Sequence, residues 1–285
     1  MTTENMVSRI FASERQAGEI LSRGTNFFNH GIVARTLKMP LPIQPEQSLT
    51  EEELKEVKSC GEQLILYPAM DAKGGLITAE RIITNLENKA PMGGKILNTF
   101  GQPDCCYQTN DEPFFTEETA RTDKRGLGSW RLVGTTPVPG TCGENFLRQT
   151  IIAAKFFSDK IYGGNPPEHL RPILQEPANR EQEIAKLMDG DEWQKAAELL
   201  ANLPFNRQFR ATFVETLIQV ILNQMVNRVR FLEKECSWTN GRTRRGGLIS
   251  FGSADSYGAC VNYRGPGSSF VNLGFFLSYS AIVDR

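Results

Sequence analysis

Near its C-terminus the chain reads Gly247-Leu248-Ile249-Ser250-Phe251-Gly252 and, further on, Asn272-Leu273-Gly274-Phe275-Phe276-Leu277. Short apolar runs broken by glycine, serine and asparagine are typical of strands joined by tight turns. From Trp238 to Arg285 there is no Lys, Glu, Gln or Met, whereas the preceding 237 residues contain 12 Lys, 24 Glu, 13 Gln and 7 Met. Tyrosine, serine, glycine and asparagine, which are common in this tail, are residues that recognition surfaces use. The same composition also fits a glycine-rich β meander without a binding role.

Before Trp238 the apolar residues recur with the period of helices, interrupted by two short apolar runs that predict strands. Thr50-Glu51-Glu52-Glu53 is a capping-box pattern and predicts a helix start. The predicted helices cover residues 3–24, 50–60, 78–89, 143–162, 178–189, 191–202 and 207–231, and the predicted strands cover 63–67 and 130–133. We therefore predict an α+β protein with an N-terminal helical segment over residues 1–62 and a larger domain over residues 63–285.

The composition excludes several classes of partner. A net charge of −1 and a pI near 6.2 provide no basic surface for nucleic acid. No apolar run approaches the ~20 residues of a membrane-spanning helix. The polar, acidic start of the chain is unlike a signal peptide. We expect cytoplasmic synthesis, no nucleic-acid partner, no membrane span and a monomer, with display at a cell surface only through another route.

Motifs of catalysis and metal binding are weak in this sequence. The two histidines, His30 and His169, stand apart in polar sequence, and catalytic triads need a base near the nucleophile. Gln102-Pro103-Asp104 is similar to the sugar-selecting tripeptide of calcium-dependent lectins, but the Trp-Asn-Asp cluster that completes such a site is missing. Cys105-Cys106 has no further ligands at metal-binding spacing. We predict no catalytic residues, no metal site and no cofactor.

The order of motifs in the tail resembles a known family. Trp238-Thr239-Asn240-Gly241-Arg242 is followed by Gly247 to Gly252, by Asp255-Ser256-Tyr257-Gly258-Ala259 and by Asn272 to Leu277. This series is similar to the variable region of the variable proteins of diversity-generating retroelements, particularly those of archaeal type. Trp130-Arg131-Leu132 and the helix predicted from Gly143 resemble the first strand and helix of their fold. The resemblance implies a C-type lectin fold of the formylglycine-generating-enzyme-like kind, with an N-terminal helical elaboration and a variable region over about 238–278.

In that family a reverse transcriptase copies a template repeat with errors at adenines, and the copy replaces the 3′ end of the gene. A template codon AAC or AAT then changes only to codons that end in a pyrimidine. None of those codons encodes Lys, Glu, Gln or Met, which are the residues missing from this tail.

The resemblance implies that buried and exposed positions alternate in the tail. Leu248, Phe251, Val261, Leu273, Phe275 and Leu277 are expected to be scaffold. The side chains expected to be exposed and to bind an unknown protein or cell-surface ligand are Asn240, Arg242, Ser250, Ser253, Asp255, Ser256, Tyr257, Cys260, Asn262, Tyr263, Arg264, Ser268, Ser269, Phe270 and Asn272.

Two other functions stay open at this point. An enzyme of the formylglycine-generating type needs a reactive cysteine pair and a metal, and Cys260 has no second cysteine close after it in the sequence. A structural module that binds a partner through its helical N-terminal half needs no diversified tail.

Overall fold

The computed structural model describes residues 25–43, 57, 61–90, 92–98, 112–123 and 125–280. The predicted helix over 3–24, nearly all of the helix over 50–60, Gln102-Pro103-Asp104 and Cys105-Cys106 lie outside these residues. The described part forms two four-stranded sheets with helices packed on them, so the α+β class is confirmed.

The first sheet contains strands from both ends of the described chain. Its order is β1-β2-β3-β8, with β1 parallel to β2 and the other pairs antiparallel. The strands are β1 (Phe27–Phe28), β2 (Glu62–Pro68), β3 (Gly128–Gly134) and β8 (Ser278–Ser280). The predicted strands 63–67 and 130–133 are thus confirmed. The strand β1, which the sequence did not predict, joins residues before position 62 to the same sheet.

The second sheet is made entirely of tail residues and their immediate neighbours. Its order is β6-β5-β4-β7, in which β4, β5 and β6 are antiparallel and β7 runs parallel to β4. The strands are β4 (Cys236–Arg242), β5 (Leu248–Asp255), β6 (Gly258–Arg264) and β7 (Leu273–Gly274). The predicted change from helical to strand structure near Trp238 is therefore confirmed.

The helices lie between these strands in the sequence. They are α1 (His30–Leu37), α2 (Ala79–Asn85), α3 (Pro113–Thr116), α4 (Phe146–Phe156), α5 (Arg171–Asn179), α6 (Glu181–Asp189), α7 (Trp193–Asn202), α8 (Pro204–Phe209) and α9 (Phe213–Leu222). A π-helical turn extends α4 through Phe157–Ile161, and another extends α9 through Asn223–Asn227. The helix predicted over 143–162 is confirmed as α4 and its extension.

The prediction of one helix over 207–231 is wrong. Arg210 has an extended conformation and ends α8, and Thr212 begins α9. The Thr212 side chain accepts from the Glu215 amide, while the Glu215 carboxylate accepts from the Thr212 amide. This capping box satisfies the first free amides of α9, so a new helix starts here.

Buried polar groups tie α9 to the first sheet. Gln63 and Asn223 form two amide hydrogen bonds with each other, at 2.8 and 3.1 Å. The Glu215 carboxylate accepts from the Arg121 guanidinium. Burial alone would raise the pKa of Glu215, but Arg121 and Arg131 lower it to about 2. These contacts fix the position of α9, which also packs against the second sheet.

Candidate ligand-binding surface

The register of the second sheet decides which tail residues share a face. Ile249, Phe251 and Val261 belong to the core that includes α9, and Phe251 meets Phe213 of α9 edge to face at 5.3 Å. We call this side the inner face. Because side chains alternate along a strand, Leu248, Ser250 and their cross-strand partners lie on the opposite side, the outer face.

The outer face is covered by helices over only part of its area. Trp238, Leu248 and Leu273 pack into a core with residues of α4, α6 and α7. Beyond this core the face carries polar side chains that are partly exposed. They are Asn262 and Arg264 on β6. Ser253 at the β5 bulge and Asn272 in the loop after β6 both lie beside Cys236, and Ser268 is partly exposed in the same loop.

The loop over residues 265–272 is anchored to the start of α4. The Phe146 amide donates to Pro266 O at 3.1 Å, and the Gly143 amide donates to Phe270 O at 3.1 Å. The Phe270 ring lies under the Arg264 guanidinium, 4.2 Å from its central carbon. Val271 is 89% exposed in the same loop. The backbone of this loop is thus held at two points, while Phe270 and Val271 are exposed.

All six predicted scaffold residues are buried, but two predicted surface residues are buried as well. Ser250 is 4% exposed and Cys260 is 6% exposed, so the prediction that they are exposed is wrong. Ser250 lies between Trp238 and Asn262 on the central strand β5, and neighbours on both sides cover it. Cys260 and Cys236 pair with opposite sides of Gly252, so Cys236 is a tail neighbour that sequence spacing alone did not reveal.

Asp255, Ser256 and Tyr257 form a separate tip at the end of the β5–β6 hairpin. Tyr257 is 69% exposed, and its amide donates to the Asp255 carboxylate at 2.7 Å. The tip rests on residues 92–98: a Cβ on Gly94 would lie 1.8 Å from Ser256 O. Along β6 the tip is about 20 Å from Arg264 at ~3.3 Å per residue. The predicted single surface therefore has two parts, the outer face and the hairpin tip.

The remaining predicted residues lie at the edges of these two parts. Tyr263 is 42% exposed and contacts the turn at Gly247, where a Cβ would lie 2.8 Å from its ring. Asn240 and Arg242 are half-buried at the end of β4, where the register with β5 shifts. Helix α7 adds surface residues that the sequence did not predict, because Trp193 and Gln194 lie beside Gly265 and Gly246.

Two buried carboxyl groups have strongly raised pKa values. Burial raises the pKa of Glu118 to about 8, although the Phe213 amide donates to its carboxylate. Burial likewise raises the pKa of Glu62 to about 8, although Tyr279 donates to it. His30 contacts the Pro42 carbonyl at 3.1 Å, and His169 lies exposed before α5. The structure does not bring either histidine to a nucleophile or an acid in the described residues.

The described residues include no cluster of three or more His, Cys, Asp or Glu side chains placed to hold a metal ion. No helix in the part of the chain that the structure describes is long and apolar enough to cross a membrane. Comparison of the chain with protein-family models, with curated proteins and with solved structures gave no match.

Proposed function

We propose that this chain is a ligand-binding protein whose tail, over about residues 238–278, is diversified by a retroelement on a C-type lectin-like scaffold. Its ligand is a protein or another cell-surface macromolecule. The binding residues are the exposed and half-buried tail positions of the outer face and the hairpin tip. In this proposal the chain acts as a monomer, without catalysis, cofactor or metal.

The observation that carries this proposal is that single strands of the tail have buried side chains on one face and partly exposed side chains on the other. On β6, Ala259 and Val261 are buried against the inner core, whereas Asn262 and Arg264 of the outer face are partly exposed. Tyr263 pairs with Ile249 of the inner face and is 42% exposed. A strand whose buried side chains fix its position tolerates replacement of its exposed side chains. Exposed substitutions usually change the free energy of unfolding by no more than about 0.5 kcal/mol.

The exposed residues are also of the kind that binds partners. Eight large hydrophobic side chains are exposed among the described residues, and four of them lie between positions 257 and 271: Tyr257, Tyr263, Phe270 and Val271. Exposed aromatic residues supply large contact area at low entropic cost. Their concentration in the compositionally distinct tail favours a binding surface over a plain β meander.

The competing enzymatic function depends on Cys260. The fold places Cys236 across Gly252 from it, but both the burial of Cys260 and the lack of a metal-binding cluster in the described residues argue for a structural thiol. A Cys260→Ser variant tests this alternative. We expect no loss of any activity, and a loss of turnover or of tightly bound copper in this variant would favour the enzyme.

DNA sequencing around the gene tests diversification. We expect a near-copy of the codons for residues 238–278 close by, with adenines in the copy wherever the two differ, beside a reverse-transcriptase gene. Tails that are identical among sister strains, with no such repeat, would contradict the proposal and favour a structural module.

A further inference from the structure

The eight glycines between residues 238 and 278 differ in whether the fold needs them. At Gly258, for example, φ is 108° and a Cβ would lie 2.5 Å from Asn98 N. A left-handed backbone or crowding neighbours likewise leave little room for a side chain at Gly241, Gly246, Gly247, Gly252 and Gly274. Gly265 and Gly267 have neither a positive φ nor a crowded Cβ position, so the fold does not require glycine there.

These two glycines occupy the first and third positions of a β-turn. The Ser268 amide donates to Gly265 O at 3.1 Å, which closes the turn with Pro266 at its second position. The third position of a type II turn needs a left-handed backbone, which Gly267 does not have. The turn therefore resembles type I, which accepts most residues and favours Asn, Asp or Ser at its first position.

A side chain at either position would have room beside α6 and α7. Apart from its chain neighbours, a Cβ on Gly265 would have only the Trp193 ring within 4 Å, at 3.8 Å. A Cβ on Gly267 would have only the Met188 methyl group in that range, also at 3.8 Å. These are ordinary van der Waals distances. Trp193 begins α7, Met188 lies near the end of α6, and both are half-buried.

Other residues fix the backbone of this turn. Pro266 is buried, and its carbonyl accepts from the Phe146 amide at 3.1 Å. Arg264 before the turn and Ser268 after it are half-buried and already belong to the proposed binding surface. The two glycines thus lie within a continuous run of surface positions, where a side chain can be added without loss of an existing contact.

We propose that Gly265 and Gly267 are two further variable positions of the ligand-binding surface, and that side chains placed there share a ligand contact with Trp193 and Met188. This inference rests on the proposed function and extends its surface to α6 and α7. Trp193 and Met188 lie outside the diversified tail, so they supply an apolar contact that stays constant while its neighbours change. Tryptophan and methionine are enriched at protein interfaces. Adenine changes convert the codon AAC or AAT into GGC or GGT, so glycine is itself a product of this mutagenesis.

Thermal unfolding of the full chain tests whether the two positions accept side chains. Gly265→Asn and Gly267→Asn should each change the melting temperature by no more than about 2 °C, since the turn accommodates both. Gly252→Asn and Gly258→Asn are the matched controls, because a Cβ at either position would lie within 2.5 Å of backbone atoms. These controls should lose more than about 5 °C or fail to fold. Equal losses at all four positions would contradict the proposal.

Iodide quenching of tryptophan fluorescence tests where such side chains lie. Of the three tryptophans, Trp193 is half-buried, whereas Trp130 is 4% exposed and Trp238 is fully buried. Gly265→Tyr should therefore lower the quenching by covering Trp193, while Ser256→Tyr at the hairpin tip should leave it unchanged. Unchanged quenching in Gly265→Tyr would show that the side chain points away from α7, and the shared contact would be excluded.

The near-copy of the tail codons decides whether these glycines vary. We expect the copy to have adenine in the first or second base of codons 265 and 267, and to retain glycine codons at positions 246, 247, 252, 258 and 274. A copy that matches the gene at codons 265 and 267 would overturn this inference and leave the proposed function standing. The absence of any copy would overturn diversification itself, and with it the variation of these glycines.

Discussion

The two faces of the second sheet differ in what lies against them. The inner face meets α9, where Phe213 packs on Phe251 and the surrounding apolar side chains are buried. The outer face meets α4, α6 and α7 only at its apolar end, and its other side chains are polar or partly exposed. In the proposed function, the inner face specifies the fold, and the exposed part of the outer face accommodates different side chains.

Buried and exposed aromatic side chains also lie within a few residues of one another in the tail. Phe270 and Phe275 are five positions apart, yet Phe270 is 41% exposed and Phe275 is fully buried between Arg210 and Phe205. Burial of an aromatic side chain stabilises the fold by a few kcal/mol, whereas an exposed one contributes little. Pairs of this kind allow the comparison to be tested with matched substitutions.

Removing scaffold side chains should have the largest effect. We expect Phe275→Ala to lower the free energy of unfolding by about 3–5 kcal/mol and Leu248→Ala by about 2–5 kcal/mol, because each leaves a cavity in a packed core. Chemical denaturation measures both values. Phe270→Ala and Val271→Ala are the matched controls, and equal losses in scaffold and control variants would remove the distinction between the faces.

The buried acids Glu118 and Glu62 should make the free energy of unfolding depend on pH, an effect of intermediate size that does not involve the outer face. The pKa of Glu118 and that of Glu62 are raised by burial from 4.5 to about 8, so both groups hold a proton in the folded state at neutral pH but lose it on unfolding. Their stabilising contribution is complete below about pH 4.5 and is lost as the pH rises through about 8. The free energy of unfolding should fall over this interval by up to about 1.4 kcal/mol per pH unit for each group.

Denaturation at several pH values between 5 and 8 checks this slope. Glu118→Gln should flatten it, since the amide cannot ionise, whereas Glu198→Gln on the exposed side of α7 should leave it unchanged. A slope that is the same in all three proteins would show that Glu118 is ionised in the folded state. Glu215, with its pKa near 2, has the opposite sign: its contribution is present above about pH 4.5 and is lost as the pH falls toward 2.

Changes at exposed tail residues should have the smallest effect. Tyr257→Ala, Asn262→Ala and Tyr263→Ser should each alter the free energy of unfolding by no more than about 0.5 kcal/mol. Thermal unfolding of the single variants measures this. A loss of several degrees at Tyr257 would show that the hairpin tip needs its side chain as well as its backbone contacts with residues 92–98.

The large apolar residues of the tail made its scaffold predictable from the sequence. Leu248, Phe251, Val261, Leu273, Phe275 and Leu277 are all buried, because both faces of the sheet meet apolar cores that large apolar side chains fill. The start of α9 was not predicted, although Thr212 and Glu215 have the spacing of a capping box. The apolar residues continue at helical spacing through residue 231, which led to the prediction of one long helix.

Other features depend on contacts between distant parts of the chain. Ser250 and Cys260 are small, and neither residue type nor spacing shows that neighbouring strands and the chain around them cover both. The separation of the hairpin tip from the outer face follows from the hairpin register and from residues 92–98.

The central claim is that the tail displays replaceable side chains on a fixed scaffold. The most direct measurement is a complete substitution scan of residues 238–280, with protease resistance of the displayed full chain as the measure of folding. We predict broad tolerance at Tyr257, Asn262, Tyr263, Ser269 and Phe270, and intolerance at Trp238, Leu248, Phe251, Phe275 and the buried Ser250 and Cys260. Tyr257 and Phe270 proving as intolerant as Phe251 and Phe275 would contradict the account.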